Sequence, residues 1–500
     1  MLQCRPAQEF SFGPRALKDA LVSTDAALRQ LYATAFSPAE RLFLAEAYNP
    51  QGTIFCSLQI RTASDWLLSR PEAPEDFQAF YQSLLHRKQS PGRKHIYLQP
   101  IDLSEGPVGC PLLDSVRSCT EAFFLGLRVK CLPLVAATSI HCSSRPRRDS
   151  DRLQFHTDGV LSFLKSHKPD DALCVLGLTL SDLYPRESWS FTFSKFLPGH
   201  EVGVCSFARF SGEFLQPEPG SSDPVPAEVA VGDPKAPVQE RGRTQSFSTL
   251  GMVQCCKVTC HELCHLLGLG SCRWLGCVMQ GALSLDEALG RPPDLCPICL
   301  RKLQHLLGFR LLDRYKELYA WTQAVVGTWP SWEAAERSGS EDTQPLSTDS
   351  GLGSENDSEV LTSLSEPLTP DGGAPELEAT EGPSPAVDLE GQAPPPRGPT
   401  EPVEALQEHG LWLAACIRAL EREVSEEELE RLDQAVDALS RWELFTGQLP
   451  TSRQALPSSQ DCSGLRKALG GTLSSWRRKL GSRKLAKAES PPCHWRQEED

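Results

Sequence analysis

The sequence lacks any apolar run that would serve as an export signal or a membrane anchor. Its N-terminus has no basic start followed by an apolar stretch, and no segment reaches the ~18 uninterrupted apolar residues that a membrane-spanning helix needs. We therefore expect an intracellular protein, cytoplasmic or nuclear, that is not secreted. Its 500 residues include 19 cysteines, an odd count. Reduced thiols and metal ligands fit this count better than disulfides.

The segment 339–400 contains neither a cysteine nor an aromatic residue. It consists mainly of Ser, Glu, Pro, Gly and Thr, which cannot bury enough apolar surface to fold. Residues 333–400 hold fifteen acidic and two basic side chains, so most of the formal net charge of −15 lies in this part and residues 1–332 are nearly neutral. We predict a disordered acidic linker over 331–402. We expect no nucleic-acid partner, because the part that folds has no excess of basic residues.

Helical spacing of apolar residues marks three further regions. We expect a helical N-terminal region over 1–108 and a helical hairpin over 403–446. The last segment, 447–500, includes a stretch, 464–487, with eight basic residues and no acidic one, at the spacing of an amphipathic helix. This basic amphipathic tail is consistent with a solvated helix face, with docking on a peripheral membrane surface, with a helix-binding partner or with a nuclear address.

Between 109 and 330, short apolar runs alternate with helical stripes. The runs expected to form strands are 123–135, 172–180, 189–193 and 201–210, and a helical stripe at 153–167 lies between the first two. The segment 211–246 is rich in Pro, Gly, Ser and charged residues, so we predict a mobile insertion there. The alternation predicts an α/β fold, in which helices pack on a sheet.

The string HELCHLLGLGSC occupies residues 261–272. In a helix, His261 and His265 lie one turn apart on the same face, so both imidazoles can bind one metal ion. Glu262 lies beside them as a candidate general base for a zinc-activated water, not as a ligand. Gly268 is expected to end the helix in a left-handed conformation. The alternative is a chance match on an ordinary helix.

Two close cysteine pairs follow this string. The spacing of Cys272, Cys277, Cys296 and Cys299 is typical of a closed tetrahedral zinc site, where the metal stabilises a segment poor in secondary structure. The alternative is four buried free thiols. Together with the histidines, these cysteines predict two Zn²⁺ ions per chain, one catalytic and one structural.

The order and spacing of these motifs resemble the archaemetzincin signature, HExxHxxGxxHC followed by CxM and CxxC. The matching strings are HELCHLLGLGSC, CVM and CPIC, and the upstream string SDLYP is similar to that family's strand region. The length is similar to that of the longer vertebrate archaemetzincins. The resemblance implies a metzincin-like α/β domain at 109–330 with a twisted sheet and an active-site helix. It also implies zinc metallopeptidase activity on peptide substrates, with aminopeptidase-like action as one form.

The resemblance also implies roles for single residues. His261 and His265 would bind the catalytic zinc with Glu262 as the general base, and the four cysteines would hold the structural zinc. Met279 would lie under the catalytic metal, an ordinary core methionine being the alternative. The strand expected at 201–210 would border the cleft and pair with an extended peptide.

Ser271 departs from the signature, because the family has its third histidine at this position. A neutral hydroxyl is a poor zinc ligand. Four possibilities stay open: Ser271 binds weakly or through water, an acidic residue of the insertion completes the site, two histidines hold zinc only at high availability, or the site is catalytically dead. Two functions follow, a zinc metallopeptidase and a zinc-stabilised pseudoenzyme that binds peptides or protein partners.

Overall fold

The computed structural model describes residues 8–86, except 11, 61, 63 and 71, together with 94–103, 109–147, 152–215, 247–338 and 402–446. Most of the predicted linker (339–401), most of the predicted insertion (216–246) and the predicted basic tail (447–500) lie outside these residues. In the described ranges, no helix is long and apolar enough to cross a membrane.

In the part of the chain that the structure describes, ten strands form three sheets. The strands are β1 (Gln8–Phe10), β2 (Leu58–Ile60), β3 (His95–Ile101), β4 (Arg128–Cys131), β5 (Ser144–Pro146), β6 (Leu153–His156), β7 (Ala172–Thr179), β8 (Asp182–Tyr184), β9 (Ser194–Leu197) and β10 (Val202–Ser206). The largest sheet has the order β4-β3-β7-β10-β9, and the two smaller sheets are β1-β2 and β5-β6-β8.

Fourteen α-helices surround these sheets in the described ranges. They are α1 (Pro14–Val22), α2 (Ala26–Ala35), α3 (Pro38–Ala45), α4 (Trp66–Ser69), α5 (Phe77–Leu85), α6 (Gly109–Phe123), α7 (Thr157–Ser166), α8 (Gly212–Leu215), α9 (Thr249–Leu267), α10 (Leu285–Gly290), α11 (Pro297–Leu307), α12 (Leu311–Ser338), α13 (Pro402–Glu421) and α14 (Glu426–Thr446). The chain is therefore a mixed α/β protein, as the alternating pattern predicts.

The central strands β3, β7 and β10 of the main sheet are buried on both faces, whereas the outer strands β4 and β9 are partly exposed. Strands β4, β3, β7 and β10 are parallel, whereas β9 runs antiparallel to β10. Along β7, Cys174 and Leu176 belong to the core shared with α6 and α9, while Val175 belongs to the core under α7. This alternation arises because successive side chains of a strand point to opposite faces of the sheet. Burial of both faces explains why β7 and β10 have almost continuous apolar sequences.

The sheet begins earlier in the chain than the sequence suggests. Strand β3 lies inside the region expected to be helical over 1–108, yet it pairs with both β4 and β7 in the middle of the sheet. This strand was not predicted because its seven residues lie within a stretch, about 87–107, whose Pro, Arg and Lys content is typical of a connector. At the other end, α12 continues to Ser338, inside the segment expected to be linker.

The C-terminal helices pack on the body of the protein. Helix α13 lies against α12 and α9, and α14 lies against α1 and α3. The indole Nε1 of Trp412 donates to the carbonyl oxygen of Ile54 at 2.8 Å. Lys18 forms an ion pair with Asp433 at 3.0 Å, and Arg41 pairs with Glu426. A segment that follows the predicted linker therefore contributes to the same core as α9.

Helix α9 has clear ends and a close neighbour. Ser248 caps its N-terminus by accepting a hydrogen bond from Gly251 N–H, and Gly268 ends it with φ of 103°, a left-handed conformation that glycine adopts at little cost. The helix crosses β10 at Gly203, where an added Cβ would lie 3.3 Å from the Cγ of Glu262. The small residue on β10 thus lets α9 approach the sheet closely.

Candidate functional site

The two histidines of α9 face each other at its C-terminal end. Their Nε2 atoms are 3.1 Å apart and their rings are nearly perpendicular, with an interplanar angle of 86°. The Nδ1 of His261 lies 2.8 Å from the carbonyl oxygen of Val278, and that of His265 lies 2.8 Å from the carbonyl oxygen of Leu269. Because a carbonyl only accepts, each Nδ1 carries the proton, and each Nε2 keeps a free lone pair.

This arrangement fits a zinc ion. Two nitrogens bound to one tetrahedral zinc at ~2.1 Å would be roughly 3.4 Å apart, close to the observed separation. Hydrogen bonds from the far ring nitrogen to a carbonyl are the usual way of orienting a metal-binding histidine. Burial lowers the pKa of His261 well below its ordinary value and that of His265 to about 4, so both rings stay neutral, as ligation requires.

Glu262 follows His261 on α9 and is buried, with only 2% of its surface exposed. Burial raises the pKa of this carboxyl to about 7, while a hydrogen bond from Ser194 and the charge of Arg291 act in the opposite direction. Among the described residues, no hydrogen-bond partner faces its Oε1. A buried carboxylate oxygen without a partner is costly unless a ligand or water uses it.

Ser271 is half-buried in the turn that follows α9, directly before Cys272. In the described ranges, the four cysteines are the only set of three or more His, Cys, Asp or Glu side chains whose ligand atoms all lie within 4.8 Å of one another. No residue of these types therefore joins the histidine pair as a third ligand there. Apart from Glu213, the acidic residues of the predicted insertion lie outside the described residues.

The second predicted cluster comes together after α9. The four Sγ atoms of Cys272, Cys277, Cys296 and Cys299 lie within 4.8 Å of one another, and all four residues are buried. The Sγ atoms of Cys272 and Cys296 are 3.6 Å apart, near the roughly 3.8 Å expected between two thiolates on one tetrahedral zinc. Hydrogen bonds from the other three thiols hold the pKa of Cys272 well below its ordinary value.

Met279 lies between the two clusters and is fully buried. Its N–H contacts the Sγ of Cys277 at 3.4 Å, and its carbonyl oxygen accepts from Cys272 N–H at 2.8 Å. Its side chain belongs to the main hydrophobic core. These contacts place the methionine in the turn between the histidines and the cysteines.

The edge of the main sheet is β9, not the strand expected at 201–210. In the described ranges, β10 pairs with β7 on one side and with β9 on the other, so it has no free edge, whereas β9 pairs with β10 alone. The expectation that 201–210 borders the cleft is therefore wrong. The sequence misled because β9 is short and half-buried throughout, and so lacks a strong apolar signal. Phe196 of β9 stacks on His265, with ring centroids 5.3 Å apart.

Two buried basic side chains near the histidines were not predicted from the sequence. Arg291 is buried and its Nη1 lies 3.3 Å from His261 Nδ1. Lys257 lies on the same helix as the histidines and is also buried. It donates to the carbonyl oxygens of Ala288 and Leu289. These residues carry no motif, so only their tertiary positions reveal them.

Sequence comparisons match this chain to archaemetzincins and to their peptidase family. The model of Peptidase family M54 matches residues 246–305. Archaemetzincin-1 of Homo sapiens is 71% identical over 499 residues, which cover 100% of both chains. Archaemetzincin-2 of Rattus norvegicus is 37% identical over 307 residues, 61% of this chain and 85% of that protein. The crystal structure of archaemetzincin from Methanopyrus kandleri is 23% identical with a TM-score of 0.30, covering 45% of this chain and 100% of that one.

Proposed function

The chain belongs to the archaemetzincin family of zinc metallopeptidases, and from this premise we propose that His261 and His265 hold a catalytic zinc ion with Glu262 as the general base. The observation that carries the proposal is the pair of neutral histidines, whose Nε2 atoms converge at 3.1 Å, on a helix that also carries the buried Glu262. The two Nδ1–H groups already have carbonyl acceptors, so a metal ion is the natural partner of the two free lone pairs.

When bound, zinc would act as a Lewis acid that polarises a carbonyl and makes a water molecule nucleophilic near neutral pH. Glu262 takes the proton of the attacking water and later delivers it to the leaving amine. Its burial supports this role, because a carboxyl whose pKa lies near 7 both accepts and returns a proton at neutral pH. Ser194 holds the carboxyl in place through a hydrogen bond.

The peptide substrate is proposed to pair with β9. This strand has a partner on one side only among the described residues, and Phe196 and Ser194 connect it to His265 and Glu262. An extended peptide can add to such an edge through main-chain hydrogen bonds. A metzincin-like arrangement of cleft and helix is part of the same proposal, as is aminopeptidase-like action.

The four cysteines are proposed to hold a second, structural zinc ion, which gives two ions per chain. Their burial and their mutual distances support a metal site that is closed to substrate. Met279 separates this site from the catalytic one and is proposed to lie beneath the histidine pair as part of its apolar floor.

A zinc-stabilised pseudoenzyme is the second candidate. The observation in its favour is the lack of a third His, Cys, Asp or Glu ligand beside the histidines in the described ranges, with Ser271 at the position where the family has histidine. Under this alternative, the four cysteines still bind zinc, and the cleft binds peptides without hydrolysing them.

Zinc content and peptide cleavage distinguish the two candidates. We expect two zinc ions per chain in the wild-type protein and one in His261→Ala, together with cleavage of a peptide library by the wild type alone. Libraries with free and with acetylated N-termini test the aminopeptidase-like action. One zinc ion in both proteins, with no cleavage by either, would support the pseudoenzyme.

A further inference from the structure

A single short turn lies between the two candidate metal sites. We call residues 277–280 the bridging turn. At its start, Cys277 belongs to the four-cysteine set, and one residue later the carbonyl oxygen of Val278 accepts the hydrogen bond from His261 Nδ1 at 2.8 Å. One peptide unit thus separates a ligand of one site from the group that orients a ligand of the other.

The cysteine side of the bridging turn is held by several hydrogen bonds. Val278 N–H donates to the carbonyl oxygen of Asp294 at 2.9 Å, and Cys272 N–H donates to that of Met279 at 2.8 Å. The Sγ of Cys277 also accepts from Cys296 N–H at 3.3 Å. These bonds join the turn to the two other segments that carry the cysteines. A change in how the cysteine segments are arranged would therefore be transmitted to the turn.

Arg291 holds the other side of the bridging turn. Its Nη1 donates to the carbonyl oxygen of Gln280 at 2.8 Å and lies 3.3 Å from His261 Nδ1. Because that Nδ1 already donates to Val278, the guanidinium is a close neighbour of the ring but not its hydrogen-bond partner. The side chain is buried, and its Nε has no partner among the described residues. Arg291 therefore holds the turn directly and the imidazole through the turn.

We propose that Arg291 is a positioning residue and that, through the bridging turn, it couples metal binding at the four cysteines to metal affinity at the histidine pair. Filling the four-cysteine site orders the bridging turn. The Val278 carbonyl then holds His261 with its Nε2 facing His265. Arg291 keeps the turn and the imidazole in these positions. The coupling is reciprocal, because two sites that share one equilibrium affect each other's affinity by the same factor. The inference rests on the two proposed metal sites.

Two metals with different ligand preferences separate the sites in one experiment. Cd²⁺ prefers thiolates, so one equivalent fills the four cysteines of the metal-free full-length chain. Co²⁺ is then titrated to the histidine pair, and its visible absorption bands report both affinity and ligand geometry. The same titration on the chain without Cd²⁺, with circular dichroism to show that the fold is kept, measures the coupling in the wild type.

We expect Cd²⁺ at the cysteines to tighten Co²⁺ binding at the histidines by roughly 5–150-fold, the usual range of such couplings. In Arg291→Gln, Co²⁺ affinity should fall by about 10–100-fold, the usual cost of losing a residue that supports a metal ligand, while Cd²⁺ affinity stays unchanged. Arg291→Lys should restore part of the loss. The matched control is Arg209→Gln, which removes another partly buried arginine, paired with Asp182, and should change neither affinity.

Three results would overturn the inference. If Co²⁺ affinity in Arg291→Gln equals that of the wild type, or if Cd²⁺ does not change Co²⁺ binding in the wild type, the coupling is absent although both sites exist. If the wild type binds metal only at the four cysteines, the proposed catalytic site fails and the coupling fails with it. The first two results leave the proposed function standing, so the two failures are distinguishable.

Discussion

The four cysteines and the histidine pair flank the same bridging turn but differ in completeness. The cysteines form a full tetrahedral ligand set within the described residues, and every member is buried. The histidine pair offers two proposed ligands, and Ser271 occupies the position at which the resemblance implies a third. A closed set of four suits a structural role, whereas a site with open positions suits substrate and water. From this difference we expect changes at the first site to affect stability and changes at the second to affect activity.

The largest expected effect is on stability, from Cys296→Ser. Removing one of four thiolates should release the zinc and destabilise the fold by more than ~4 kcal/mol, since structural zinc contributes directly to folding. Thermal denaturation together with zinc content measures this. The matched control is Cys174→Ala, a buried cysteine of β7 outside the cluster, for which we expect only about 1 kcal/mol. Equal losses in both variants would mean that the four cysteines are merely packed thiols.

Glu262→Gln should lower kcat by roughly 10²–10⁴-fold, because the amide cannot accept the proton of the attacking water. Zinc content should stay at the wild-type value, since Glu262 is not a proposed ligand. Peptide cleavage and elemental analysis on the same preparation measure both quantities. Glu187→Gln, at an exposed glutamate on the loop after β8, serves as the control. Loss of zinc from Glu262→Gln would contradict the assignment of the base.

Ser271→His would make the histidine site more like the complete cysteine site. A third imidazole should raise zinc affinity at the histidine pair by at least the ~10-fold that supporting residues contribute, and turnover should rise with it. Competition with a zinc chelator gives the affinity, and Ser271→Ala should leave it unchanged. Unaltered affinity in Ser271→His would show that another group already completes the site.

The smallest expected effect concerns the charge around the four cysteines. Lys302 is buried, and its Nζ contacts a carboxylate oxygen of Glu75 at 2.6 Å; the cysteine thiolates also raise its pKa. A zinc ion with four thiolates has a net charge of about −2, which a nearby cation stabilises. Lys302→Met should therefore weaken zinc retention about 10-fold, whereas Lys302→Arg should not. Zinc release to a chelator over time measures this, and equal release rates in the two variants would refute it.

The local parts of the site were predictable from the sequence. Four residues make about one helical turn, so His261 and His265 had to share a face once the segment was helical. Gly268 had to be the residue that ends the helix easily, and it does so with a positive φ. The cysteine pairs were recognisable because their spacing is that of metal-binding loops.

Other parts depended on contacts distant in sequence. The free edge of the sheet is β9 rather than the strand at 201–210, since pairing, not hydrophobicity, decides which strand is outermost. Arg291 reaches His261 from thirty residues away, and Trp412 contacts Ile54 across 358 positions. No periodicity in the sequence encodes such contacts.

Short-range spacing and helix geometry leave few alternatives for local features. The amino-acid sequence alone was therefore enough to predict the α/β class, the helix with its histidine pair, the candidate base and the four cysteines. Only the tertiary structure decided which strand borders the histidines and that β3 completes the sheet. It also decided that the C-terminal helices pack beside α9 and that the bridging turn joins the two candidate metal sites. These features result from packing summed over the whole core, where residues far apart in the chain become neighbours because their apolar surfaces and hydrogen bonds fit together.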